Sequence, residues 1–126
     1  MAGIKKMKGI AMEQTNVITS LAYSDETVAI EELFETEYAK EIGIAMQAHQ
    51  VLLDHQSIYP LTLQVIDGLV KFSSDPACSI LHKGDLMTLD AGMKHDLEAI
   101  ENTLLRLTLF TGAGCDDNGA QMDMIE

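Results

Sequence analysis

The sequence predicts an all-β fold, a sandwich or barrel of short antiparallel strands, and three observations predict it. Apolar residues alternate with polar ones over short runs, the period of a strand with one buried face. Turn residues punctuate these runs at Asp67-Gly68, at the "SSDPA" stretch with Pro76, at Lys83-Gly84 and at Ala91-Gly92. The runs themselves are too short for typical helices, and strands at this spacing suit a sandwich or barrel.

Each element can be justified in chain order. The opening "MAGIKKMKGIAME" carries Lys5, Lys6 and Lys8, but Glu13 arrives before an apolar core of signal-peptide length develops, so a cytoplasmic protein is expected. Residues 1–25 read as an N-terminal arm. In "TVAIEELFETEYAKEIGIAM" glutamate, alanine and leucine favour a helix. The alternation of Val28 with Ile30, and the strands a barrel needs, predict instead two strands around an acidic turn near Glu35 to Tyr38. Ile42, Ile44 and Met46 then share one face, as do Leu61, Leu63 and Val65 opposite Thr62 and Gln64. "LLRLTLF" repeats the pattern, with Leu105, Leu107 and Leu109 opposed to Arg106 and Thr108. After Phe110 periodicity ends, and residues 111–126 read as a solvated acidic tail in which Met122, Met124 and Ile125 are candidates for docking on a neighbouring subunit.

Composition narrows the function. The 126 residues fit one domain, and 47% hydrophobic with 22% charged side chains describes a soluble globular chain with no run approaching the ~20 apolar residues that cross a bilayer. Twenty acidic against eight basic residues give a net charge of −12, which repels a phosphate backbone and an anionic membrane alike. Neither nucleic acid nor membrane is an expected partner. Cys78 and Cys115 lack metal-type spacing and are expected to be free thiols.

The stretch "GDLMTLDAGMKHDLEA" raises the functional question, because His95 follows Gly84 and Gly92 closely at the start of a strand. It resembles the second motif of the cupin family, G-x5-P-x-G-x2-H-x3-N, with Gly84, Gly92 and His95 in place, Asp90 at the proline and Ala99 at the asparagine. The first cupin motif, G-x5-H-x-H-x3,4-E-x6-G, can be laid on "HQVLLDHQSIYPLTLQVIDG". His55 then takes the first histidine position and Gly68 the closing glycine, while His49, Ser57 and Leu61 replace the opening glycine, the second histidine and the glutamate. The resemblance covers about residues 26–110 and implies a double-stranded β-helix (jelly-roll) barrel over that span.

The resemblance also implies a ligand set, three histidines and a carboxylate around a divalent ion, of which this chain retains His55 and His95. A zinc, nickel, iron or manganese ion is therefore a candidate cofactor, held by those two with His49 as a lesser candidate. Replacing the glutamate by Leu61 makes the interior greasier, so the first expectation is a small-molecule pocket lined by His55, Ser57, Leu61, Leu63, Val65 and His95. Each buried imidazole then needs a water, a hydroxyl such as Ser57, or a ligand. The alternative is a metal-dependent dioxygenase, decarboxylase or isomerase with a reduced ligand set. Small cupins pair through strand edges, and open edges favour this physically, so a homodimer through the strand around Val28 to Phe34 is expected.

Overall fold

The computed structural model describes residues 12–112. Lys5, Lys6, Lys8, Cys115 and the tail residues Met122, Met124 and Ile125 lie outside the described residues. In chain order the elements are α1 (Val17–Ser20), β1 (Ala29–Glu35), β2 (Lys40–Met46), β3 (Val51–His55), β4 (Leu61–Asp67), β5 (Leu69–Ser74), β6 (Ala77–His82), β7 (Leu86–Leu89), β8 (His95–Ala99) and β9 (Thr103–Leu109). They form a five-stranded sheet, β1-β2-β9-β4-β7, and a four-stranded sheet, β3-β8-β5-β6, with all pairings antiparallel. Among the described residues no helix is long and apolar enough to cross a membrane.

Alternation decides which side chains face the other sheet. Leu61, Leu63 and Val65 of β4 and Leu105 and Leu107 of β9 are buried, as are Val70 and Phe72 of β5 and Leu97 and Ala99 of β8. Burying each such leucine contributes about 1.5–3 kcal/mol, and a strand places every second one where its neighbours can cover it. The helix-forming stretch upstream obeys the same demand. β1 pairs with β2 from Ala29 opposite Ala45 to Glu35 opposite Lys40. Its turn closes with the Thr36 N–H donating to the Ala39 carbonyl at 2.8 Å. Tertiary pairing has overridden local helix propensity.

β2 departs from simple alternation, since Gly43, Ile44, Ala45 and Met46 are all buried. The N-terminal segment supplies the second cover. A Cβ built on Gly43 would lie 2.7 Å from Leu21 Cδ2, so the glycine admits the crossing chain. Asn16 starts the preceding helical turn by accepting from the N–H groups of Ile18 and Thr19 at 2.9 and 3.0 Å. Gln47 then donates to Asp25 Oδ1 at 2.8 Å and Gln50 to the Ser24 carbonyl at 2.7 Å. The sequence reading of an arm gave no sign of this docking.

Gly68 adopts φ +106°, and a Cβ there would stand 2.5 Å from Thr103 Oγ1 and collide with the Asn102 carbonyl. Thr103 is fully buried, and its hydroxyl binds both the N–H and the carbonyl of Leu69 at 3.1 Å and the Glu101 carbonyl at 2.8 Å. Glycine and threonine together join the two sheets where the chain passes from β4 to β5.

Candidate functional site

His55 reaches the interior because β3 is irregular. Leu52 pairs with Leu97 and His55 with His95, so β3 spends three residue steps where β8 spends two. The extra residue is a β-bulge, and it returns His55 to the inward face that Leu52 occupies. Asp54 adopts φ +53° within the bulge, and its N–H donates to Asp96 Oδ1 at 2.7 Å. A carboxylate on β8 thus holds the distortion that aims the histidine on β3.

His95 enters from the turn at Gly92, whose φ is +84° and whose N–H donates to the Ser57 carbonyl at 2.7 Å. Its side chain is buried and stacks on Phe72, with ring centroids 5.5 Å apart and planes 19° apart. His95 Nδ1 lies 3.2 Å from the Met93 carbonyl, which can only accept, so Nδ1 is the donor in this contact. The His55 ring meets the His95 ring edge-on at 5.3 Å and 81°. His55 Nδ1 and His95 Nε2 are buried with no hydrogen-bond partner among the described residues. Burial, and secondarily the neighbouring His95, push the His55 pKa below its ordinary value, so its ring is uncharged at neutral pH.

Two hollows flank this pair. The inner one, of about 260 Å³, has aliphatic walls of Ile30, Ile42, Ile44, Leu61, Leu107 and Leu109, with His55 and the loop Gln56–Tyr59 completing it. The outer one, of about 470 Å³, lies around the β5–β6 turn and takes in His95, Asp54, Asp96, Lys71, Lys94 and Cys78.

The expected pocket is therefore redistributed. His55, Ser57 and Leu61 line the inner hollow, whereas His95 lines the outer one despite the proximity of the two rings. Leu63 and Val65 line neither, a correction to the sequence reading: both are 0% exposed, packed into the core between the sheets. Facing inward places a side chain between the sheets, but only the end where the sheets diverge leaves a space. The Ser57 hydroxyl accepts from the Tyr59 N–H at 3.0 Å and makes no hydrogen bond to His55 Nδ1 or to His95. His49 is exposed at φ +77° in the turn before β3 and lines neither hollow. Ile42, Ile44, Leu107 and Leu109 escaped the sequence reading as wall residues, although their shared inward parity was visible. Ile30 is legible in the sequence only as a strand residue, and nothing local marks Tyr59.

The donor set falls short of the metal centre that the resemblance implies. Two imidazoles converge, Leu61 stands where a carboxylate would, and no group of three or more histidine, cysteine, aspartate or glutamate side chains suited to a metal ion occurs among the described residues. The residues present do not fit a four-ligand ion, and no reaction step is derived through one.

No protein-family model matches the chain, and no curated protein matches it. Solved structures do. An RmlC-like cupin protein from Desulfovibrio desulfuricans superimposes with TM-score 0.73 at 20% identity, covering 79% of this chain and 97% of that one. A conserved protein with a double-stranded β-helix domain from Klebsiella pneumoniae gives 0.71 at 16% identity, over 79% and 90% of the two chains. A cupin superfamily protein from Desulfitobacterium hafniense gives 0.69 at 11% identity, over 86% and 98%. The chain has the cupin fold, a double-stranded β-helix barrel. At these identities the likeness describes the fold alone, and function rests on the chain's own residues.

Proposed function

We propose that the chain binds a small, mostly apolar molecule in the inner hollow between its sheets. The observation that carries this reading is a space of about 260 Å³ with six aliphatic wall residues and a single imidazole, His55, as its titratable base. That volume lies just below the ~300–1,000 Å³ of drug-sized ligand pockets, so the ligand is small. Each Å² of apolar surface it removes from water contributes roughly 25 cal/mol. Protein purified without denaturant and examined by native mass spectrometry should retain a small molecule or take up an apolar dye. Ile30→Trp, at the half-exposed rim, should abolish that uptake. Dye uptake untouched by Ile30→Trp, with no retained molecule, would reject the reading.

One observation favours a second reading, a metal-dependent dioxygenase, decarboxylase or isomerase: two buried imidazole nitrogens, His55 Nδ1 and His95 Nε2, without partners among the described residues. A stoichiometric ion that is removed by chelation, and lost together with turnover in His95→Ala, would replace the binding reading with this one. In either case the chain is taken as a cytoplasmic homodimer paired through β1, one of the two edge strands of the five-stranded sheet. Sedimentation showing only a 13.8 kDa species at micromolar concentration would remove the dimer.

A further inference from the structure

We propose that the inner hollow selects uncharged molecules about the size of one substituted ring, meets them with a hydrogen bond from His55, and discriminates against the matching carboxylates. This rests on the binding function proposed above and specifies its ligand class.

Charge carries the first step. The lining holds no lysine or arginine among the described residues. The nearby cations are committed elsewhere: Arg106 binds Glu41 Oε1 at 3.2 Å and Gln64 at 3.1 Å on the outward face, and Lys40 lies 3.7 Å from Glu32. A carboxylate entering the hollow would shed part of its water without gaining a counter-charge. The net charge of −12 further lowers the local concentration of any anion.

Polar geometry carries the second. Gln56 Nε2 donates to the Gly92 carbonyl at 3.1 Å and Ser57 Oγ accepts from the Tyr59 N–H, so the Ser57 and Tyr59 hydroxyls stand beside His55 as the other polar groups of the lining. His55 is bonded by no described residue through either ring nitrogen, and its Nδ1 is sealed from solvent. A buried N–H without an acceptor is rarer than an unused acceptor, so the proton belongs on Nε2, the edge left for a ligand. A hydroxyl, ether or carbonyl oxygen is its complement. Volume sets the size: an apolar cavity of ~150 Å³ accommodates benzene, so about 260 Å³ accommodates a ring with a short substituent.

The test compares matched probes by calorimetry at pH 7.5: 4-methylbenzyl alcohol against 4-methylbenzoate, and 1-heptanol against heptanoate. The expected result is at least about tenfold tighter binding of each alcohol. His55→Phe should weaken 4-methylbenzyl alcohol by about tenfold more than it weakens toluene. Ile58→Lys, a cation at the exposed rim outside β1, should raise carboxylate affinity. Carboxylates binding as well as alcohols to the unaltered protein would overturn the selectivity and leave the binding function standing. No measurable binding of toluene, alcohol or carboxylate would overturn both. The comparison in the unaltered protein requires no variant to fold.

Discussion

The two hollows differ in a way that volume alone misrepresents. The outer one is nearly twice the size, about 470 against 260 Å³, yet its lining includes the charged side chains of Lys71, Lys94, Asp54, Asp75 and Asp96. The inner one offers aliphatic walls and one uncharged imidazole. A small apolar molecule gains by leaving water only where the walls gain as well, so the smaller space is the better binding site. The hollows are nevertheless coupled. Phe72 and His95 stack behind His55, and Asp96, a residue of the outer hollow, holds the bulge that aims His55 into the inner one.

That coupling is open to direct attack. Phe72→Ala should have the largest effect, since Phe72 is 4% exposed and supports His95: a loss of about 3–5 kcal/mol of stability in urea denaturation is expected. A smaller loss would mean that the stack contributes little to stability. Asp96→Ala should come next. Removing the acceptor for the Asp54 N–H should cost about 1 kcal/mol and weaken binding in the inner hollow several-fold, although Asp96 is no part of its wall. Asp96→Asn, which keeps an acceptor oxygen, should lose less of both.

The pH response is smaller and has a definite sign. Because the fold lowers the His55 pKa, the unfolded chain takes up its proton first as pH falls, so this contribution to stability is complete above the unfolded value near ~6.5 and is lost below it. Midpoints of denaturation should rise between pH 5 and pH 7, and His55→Phe should flatten that rise. The smallest effect sharpens the comparison most. The double variant Lys71→Ala with Lys94→Ala alters only the outer hollow and should leave apolar ligand affinity unchanged in calorimetry. A substantial change would place the ligand on the wrong side of the histidine pair.

Much of the fold was legible because a strand's side chains alternate with period two. Leu61, Leu63 and Val65, or Leu105 and Leu107, announce an inward face without reference to any partner, and Gly68, Gly84 and Gly92 mark turns through a conformation few other residues adopt. The preference for strands over a helix between Val28 and Met46 held because that segment had to complete a sheet. The site was less legible. Counting by parity along β3 would turn His55 away from Leu52, and only the bulge reverses this. Equal parity also hid the difference between Leu61, which meets the hollow, and Leu63 and Val65, which fill the core.

The sequence by itself determined the alternating strands, their turns, and the presence of two histidines at cupin-like spacing, since each depends on residues close in the chain. The tertiary structure alone decided that Asp96 would hold Asp54, that Leu21 would cover Gly43, and that the rings of His55 and His95 would meet while lining different hollows. Those outcomes depend on pairs of groups far apart in sequence, whose separation and direction are set by how two sheets twist and close on one another, and no local pattern encodes that distance.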